Sequence, residues 1–162
     1  MLDITIRPLA PDDHDRVSRL WHEAWHDAHG ALAAPHVTEE RTLDTFRKRL
    51  EGLHTQSFVA VVDAEPIAFG ALEDETIDQF YVARSFRGRG VAKLLLSVLE
   101  EKLAARGVVD GLIECMTGNA RAYAFYAKAG WTDRGVFDNP IWTRDGRVET
   151  VPTHRFTKRL VP

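Results

Sequence analysis

A single cysteine, Cys115, stands among the 162 residues of the chain. One thiol excludes a disulfide framework and a cysteine-based zinc cluster. No apolar run approaches the roughly 20 residues of a membrane-spanning helix. No lysine–arginine block occurs, and the net charge is −3 with a pI near 6.2. The electrostatic footprint of a nucleic-acid binder is therefore missing. The opening residues MLDITIRPLA hold no basic region followed by an apolar stretch, so no secretory leader is expected. A reducing, cytoplasmic setting fits best. Repeats, low-complexity tracts and linkers are also lacking, as is the phosphate-loop pattern G-x-x-x-x-G-K-[ST].

What remains is 44% hydrophobic and 28% charged. This describes one ordinary soluble domain over residues 1–162, able to bury about two-thirds of its unfolded surface. ITIRPL alternates as a first strand. PDD opens a helix that runs to about His29, with Val17, Leu20, Trp21, Ala24, Trp25 and Ala28 on one face. Gly30 and Pro35 break it, and a second helix runs from Thr38 to about Gly52, with Leu43, Phe46 and Leu50 inward. Two apolar runs flank Asp63-Ala64-Glu65-Pro66 as a hairpin, and TIDQFYVA is a third strand of that group. GRGVAKLLLSVLEEKLAARG is a long helix ended by Gly107, GLIECMT a short buried strand, and NARAYAFYAKAG a helix led by Asn119 and closed by Gly130. GWTDRGVF and VETVPTHRFTKRL are closing strands with a turn at Asp145-Gly146. The order β-α-α-β-β-β-α-β-α-β-β predicts an α/β (α+β) fold: a mixed, mostly antiparallel central sheet of about seven strands with helices on both faces.

Chemistry is concentrated in IDQFYVARSFRGRGVAKLLLSVLE. A strand ends at Val82, a basic glycine-containing loop follows from Arg84 to Gly90, and a helix begins. Free N–H groups from about Gly88 to Ala92 and the positive end of the helix form an anion site suited to phosphate. Side chains at the glycines would hold a phosphate off the backbone. Gly88-Arg89-Gly90-Val91-Ala92-Lys93 matches a dinucleotide fingerprint only loosely, because lysine replaces its third glycine and the loop follows a β-meander. An ordinary glycine-broken surface loop is the alternative.

A second segment, CMTGNARAYAFYAKAGW, places a short strand before an asparagine-led helix and a Gly-Trp pair. Together the two segments resemble the GNAT superfamily of acetyl-CoA-dependent N-acetyltransferases. Arg87-Gly88-Arg89-Gly90-Val91-Ala92 satisfies that family's Q/R-x-x-G-x-G/A loop. Asn119, Ala122, Tyr126, Gly130 and Trp131 fall on its later N-x-x-A-x-x-x-Y-x-x-x-G-[FYW] motif, and IDQFYV is similar to its usual ID-x-LYV strand. The resemblance implies a GNAT-like fold in which the QFYV strand bulges and splays from its neighbour, with the pantetheine arm of acetyl-CoA filling the gap. It implies cofactor contacts from Phe80, Tyr81 and Val82, from Arg87, Gly88, Arg89, Gly90, Val91 and Ala92, and from Asn119 and Tyr126. The reaction implied is direct acetyl transfer to a small-molecule or peptide amine, with no nucleic acid, membrane or metal involved, and homodimers occur in the family.

A protonated amine cannot attack, so a base is expected. Asp78, on the alternating face of Phe80 and Val82, is the first candidate, followed by Glu75 and Glu73. Tyr126 matches the family's proton donor to the departing thiolate; the other reading is a core aromatic. Cys115 in its apolar strand is a less suitable acyl nucleophile. FDNPIWTRDGR, a long and partly apolar connection, is a candidate dimer or acceptor element. Nothing marks a polyamine, antibiotic or histone-tail acceptor. A catalytically weak acetyl-CoA-binding module of the same fold is the alternative function.

One literal motif competes. His22-Glu23-Ala24-Trp25-His26 is an H-E-x-x-H, which in zinc hydrolases places two imidazoles and a base on one helix face. The position three residues after the second histidine, glycine in the extended form, is His29. The apolar face centres near Val17 and Ala28, so His22, His26 and His29 are expected to project toward solvent or a cleft rim. The motif reads as a chance match, leaving a zinc hydrolase as a remote alternative. Trp21, Trp25 and the three histidines are expected either to shape the acceptor pocket or to be two core tryptophans and three solvated histidines.

Overall fold

The structure, a computed structural model, describes residues 2–53 and 56–161. Seven strands form one sheet in the order β1-β2-β3-β4-β5-β7-β6. They are β1 (Thr5–Pro8), β2 (Ser57–Val62), β3 (Glu65–Glu73), β4 (Thr76–Val82), β5 (Asp110–Met116), β6 (Thr132–Pro140) and β7 (Thr150–Arg159). All neighbours are antiparallel except β4 and β5. The helices are α1 (His14–His29), α2 (Pro35–Glu40), α3 (Leu43–Leu53), α4 (Val91–Ala105) and α5 (Ala120–Lys128). The expected mixed, mostly antiparallel sheet between helical layers is what forms.

Each sheet face carries its own core. On one, α1 and α3 bury Val17, Leu20, Trp21, Trp25, Phe46 and Leu50 against Val59, Val61 and Phe69. On the other, Leu95, Leu96, Leu99 and Leu103 of α4 meet Ala68, Leu72, Ile77, Ile113, Tyr126 and Phe156. Gly70 permits the close approach of β3 to α4, since a Cβ there would lie 2.5 Å from Leu99 Cδ1. Trp131, the aromatic after Gly130, donates from Nε1 to Glu100 of α4 at 3.0 Å, and Lys158 of β7 binds the same carboxylate at 3.0 Å.

Three local expectations are corrected. The helix expected from Thr38 to Gly52 is two helices, and Pro35 starts the first of them instead of only ending α1. The break falls at Arg41 (φ −83, ψ 60) because Thr42 begins a new cap: its Oγ1 accepts from Thr45 N–H at 3.3 Å. In the β2–β3 hairpin the turn is Asp63-Ala64 alone, both at positive φ (49 and 68), while Glu65 and Pro66 belong to β3. A two-residue turn with both central φ values positive matches the twist of the flanking strands. The third correction concerns β4, where a bulge is present as the resemblance implied but strict alternation from Asp78 to Val82 is not kept. Its pairing with β3 shifts between Ala71 and Leu72, opposite Asp78. This bulge resets the alternation, so that Ile77 and Phe80 both join the α4 core although three residues apart.

Candidate active site

β4 and β5 pair only at Thr76↔Leu112 and Ile77↔Ile113. Beyond Ile77 they part, and a cleft of about 350 Å³ opens between them. Ala83 N–H donates to Ile67 O at 2.8 Å, and the register continues through Tyr81↔Phe69. By antiparallel alternation, Tyr81 directs its N–H and C=O to β3, whereas Phe80 and Val82 direct theirs into the cleft. Of the three backbone positions expected to bind an arm, Phe80 and Val82 have the orientation for it. Tyr81 lines the cleft with its side chain.

At the cleft mouth the chain passes through a short 3-10 turn, Arg84–Phe86, and enters α4 from Gly90. Gly88 and Gly90 have φ of 72 and 84, and a Cβ at either would meet nothing within 4 Å. The space before the N–H groups is open, and the first backward helical bond is Leu94 N–H to Gly90 O at 3.1 Å. The preceding N–H groups, from Gly88 through Ala92, point past the end of the ladder. Gly88, Gly90, Ala92 and Arg87 line the cleft, as do Lys93 and Arg121. Val91 is buried and contributes only backbone, and exposed Arg89 stacks 5.2 Å over Phe86. Arg87 is ion-paired to Asp27 of α1, which holds that carboxyl below its ordinary range. Lys93, Arg121 and Asp27 escaped sequence reasoning; only Arg121, in the first turn after the Asn119 cap, carried a readable signal.

Asn119 caps α5 by accepting from Ala122 N–H at 3.3 Å, and its Nδ2 lies 3.4 Å from His29 Nε2. Tyr126 lies deeper in the cleft, packed on Phe80 and Phe156. Burial, followed by the neighbouring Cys115 and Tyr81 side chains, pushes the Tyr126 phenol far above its ordinary value. It is a neutral O–H donor at any physiological pH. Cys115 lines the same cleft, and burial with the nearby Asp133 charge pushes its thiol up to about 11. A thiol so held is protonated and a poor nucleophile.

Asp78 lines the cleft too, but not on the face of Phe80 and Val82, as strict alternation implied. Past the bulge its charge acts on Arg49 and Tyr81, on the α1–α3 side of the sheet. Glu73 and Glu75 are exposed beside the β3–β4 turn and line no part of the cleft. Trp21 and Trp25 are core residues, 0% and 7% exposed, packed with Phe46 and away from the cleft lining.

The three histidines of α1 divide. His22, Glu23 and His26 border a separate groove of about 860 Å³ between α1 and the residues around Pro66 and Phe86. The His22 and His26 rings are 4.6 Å apart, but His26 Nε2 is engaged with Arg41 O at 2.7 Å. His29, expected at solvent or a rim, is turned into the cleft against Tyr81 and Trp25. Burial, and next the Arg41 charge, push it down to about 4. Among the described residues no three His, Cys, Asp or Glu side chains converge as a metal site. None of the described helices is long and apolar enough to cross a membrane.

A seven-stranded mixed sheet split at its one parallel pair, with a glycine loop at the mouth of the split, defines an acetyltransferase fold. Residues 15–131 match the model of the acetyltransferase (GNAT) family, and the chain belongs to that family. Solved structures agree in fold. A GCN5-related N-acetyltransferase from Rhodopseudomonas palustris superposes with a TM-score of 0.76 at 21% identity, covering 98% of each chain. The PaiA N-acetyltransferase from Thermoplasma acidophilum, in complex with coenzyme A, gives 0.73 at 16% identity, covering 98% of this chain and 99% of that one. YncA from Salmonella typhimurium, with its cofactor acetyl-CoA, gives 0.70 at 16%, covering 98% and 94%. No curated protein matches the chain.

Proposed function

We propose that residues 1–162 form one catalytic domain, an acetyl-CoA-dependent N-acetyltransferase that moves the acetyl group to a primary amine by direct attack. The observation that carries this reading is the continuity of the cleft. It runs from the open N–H groups of Gly88–Ala92, past the unpaired backbone of Phe80 and Val82, to the hydroxyl of Tyr126. A diphosphate fits the first part, an amide-bearing arm the second as an added strand, and a thioester the third. Asn119, beside the arm's path, contributes its side-chain amide.

When bound, acetyl-CoA supplies a thioester whose carbonyl carbon accepts the amine nitrogen while the carbon–sulfur bond breaks. The chain supplies the proton chemistry. Asp78 takes the proton that an alkylammonium, with a pKa of about 10, must lose. Tyr126 donates its phenolic proton to the departing sulfur and regains one from the amide-forming nitrogen by way of solvent. His29 is held neutral and does not compete as an acid.

Calorimetry of acetyl-CoA with the wild type beside Gly90→Glu tests the reading. The variant sets a carboxylate before the N–H groups. The Cβ site is open, but a φ of 84 strains any side chain there, so Gly90→Ala, expected to keep most of the binding, separates loop strain from the carboxylate's charge. Micromolar binding in the wild type and at least a hundredfold loss in Gly90→Glu are expected. Equal binding in both would remove the diphosphate from this loop. Binding without transfer to any amine would leave a cofactor-binding module of the same fold.

A further inference from the structure

Beside the inner cleft lie two cations that the transfer chemistry leaves unused. Arg41, at the end of α2, is 4% exposed. Its Nη2 donates to Trp142 O at 2.7 Å, while Nε and Nη1 are buried with no partner. Its guanidinium stands 5.3 Å from the Trp25 ring and 5.1 Å from the Trp142 ring. Arg49, half-buried on α3, stands 4.8 Å from Trp21 and 5.3 Å from Trp142. The Trp142 indole, in the connection after β6, is thus shared by two guanidiniums.

Among the described residues neither arginine forms an ion pair. The charged and titratable groups around them are Glu40 of α2, Glu149 of the last connection, Asp78 and Tyr81 of β4, and His26 and His29 of α1, His26 through the Arg41 carbonyl. Glu40 is paired with Arg147 at 2.8 Å, and Glu149 with Arg147 and His36 at 3.2 and 2.6 Å. Asp78 accepts from Gln79 at 3.3 Å. The two arginines repel each other, and burial lowers the pKa of both. An uncompensated buried charge is costly, and aromatic faces offset only part of that cost. A guanidinium fork with free N–H groups is the shape that binds a carboxylate in bidentate fashion.

Their position relates them to the reaction. Arg41 stands over Trp25, whose ring lies 5.6 Å from that of His29, and Arg49 stands over Trp21, which meets Phe69 beneath Tyr81; His29 and Tyr81 line the cleft. Asp78, which lines the same cleft, is among the charges that act on Arg49, so carboxylate and guanidinium belong to one region of the site. We infer that the acetyl acceptor is a small amino acid, its amine facing Asp78 and its carboxylate held by Arg49, with Arg41 behind and Trp142 as the wall. This rests on the N-acetyltransferase reading above and names the acceptor class of that site. The substrate closes the charge balance that the fold leaves open.

The test offers free amino acids beside their carboxamides, which resemble a peptide N-terminus, and reads thiol release from acetyl-CoA. The wild type is expected to favour the acids by about 10- to 100-fold in kcat/KM, mainly through KM, the range of a charge-assisted bond. Arg49→Gln is expected to erase that preference and Arg49→Lys to retain part of it, because the lysine keeps the charge and loses the fork. Quenching of tryptophan fluorescence by N-acetyl amino acids against their amides, with CoA present, reads the same subsite without turnover. Equal acetylation of acids and amides overturns the carboxylate subsite and leaves the transferase. Carboxylate-dependent quenching, lost in Arg49→Gln but accompanied by no transfer, keeps the subsite and overturns the transferase. Neither transfer nor quenching overturns both.

Discussion

Tyr126 ends the cleft with a hydroxyl that burial keeps protonated. Its ring packs on Phe80 and Phe156 at 6.2 and 5.9 Å, contacts that phenylalanine would keep. Tyr126→Phe is therefore expected to fold normally and to lower kcat by about 100-fold, with the KM for acetyl-CoA unchanged. Steady-state kinetics with unaltered kcat would remove the tyrosine from the proton path. His29 makes a different prediction. Its folded value is about 4, against 6.5 for the free side chain. Between those values the unfolded chain binds a proton that the folded chain refuses, so stability falls as pH drops from about 6.5 to about 4. The whole effect has an upper bound of roughly 3 kcal/mol. His29→Gln should flatten that part of the profile in denaturant unfolding at pH 7 and pH 4.5; parallel losses in both proteins would refute the assignment. Neither His29's orientation nor the Arg41–Trp142 contact was legible in the sequence. The apolar face of α1 was read with the right centre, but a helix at the edge of a split sheet meets a cleft on a flank that periodicity assigns to solvent.

At the scale of elements, legibility followed turn and cap chemistry. Asn119 and Gly130 bracket α5, and Gly107 ends α4 at φ 86, because backbone geometry there admits few residues. The glycine loop before α4 was readable for the same reason, with Gly88 and Gly90 both at positive φ. What stayed hidden depends on partners distant in sequence. A bulge in this strand was expected from the family resemblance, but its place opposite Asp78 exists only in the register between β3 and β4, so alternation alone placed that carboxylate on the wrong face. The arrangement carries its own prediction. Tyr81 N–H points to β3, while the Phe80 and Val82 N–H groups face the cleft. Hydrogen exchange of the free protein should find Tyr81 protected and Phe80 and Val82 fast. Acetyl-CoA should slow Phe80 and Val82 by at least tenfold and change Tyr81 much less. Uniform slowing of all three would show tightening of β4 as a whole and not an added strand.

The whole molecule is one sheet hinged on a seam, because the β1–β4 half meets the β5–β7–β6 half through only two residue pairs, Thr76↔Leu112 and Ile77↔Ile113. Backbone pairing alone would let the halves melt separately. The α4 core works against that, because its cluster takes Ala68, Leu72 and Ile77 from one half and Ile113 and Phe156 from the other. Apolar burial across the seam does the joining that hydrogen bonds do elsewhere. A single thermal transition is therefore expected for the free protein. In the proposed complex the donor lies in the seam, bonded to β4 on one side and α5 on the other, and it would bind only the folded state. At a hundred times its Kd such a ligand stabilises by about 2.7 kcal/mol. For a chain of this size each kcal/mol moves Tm by about 2–4 °C, so acetyl-CoA should raise the one transition by roughly 5–11 °C. The rise should grow with the logarithm of ligand concentration and be lost in Gly90→Glu. An unmoved Tm at saturating acetyl-CoA would count against a ligand in the seam. Two transitions, only one of them shifted, would mean that the α4 core does not join the halves.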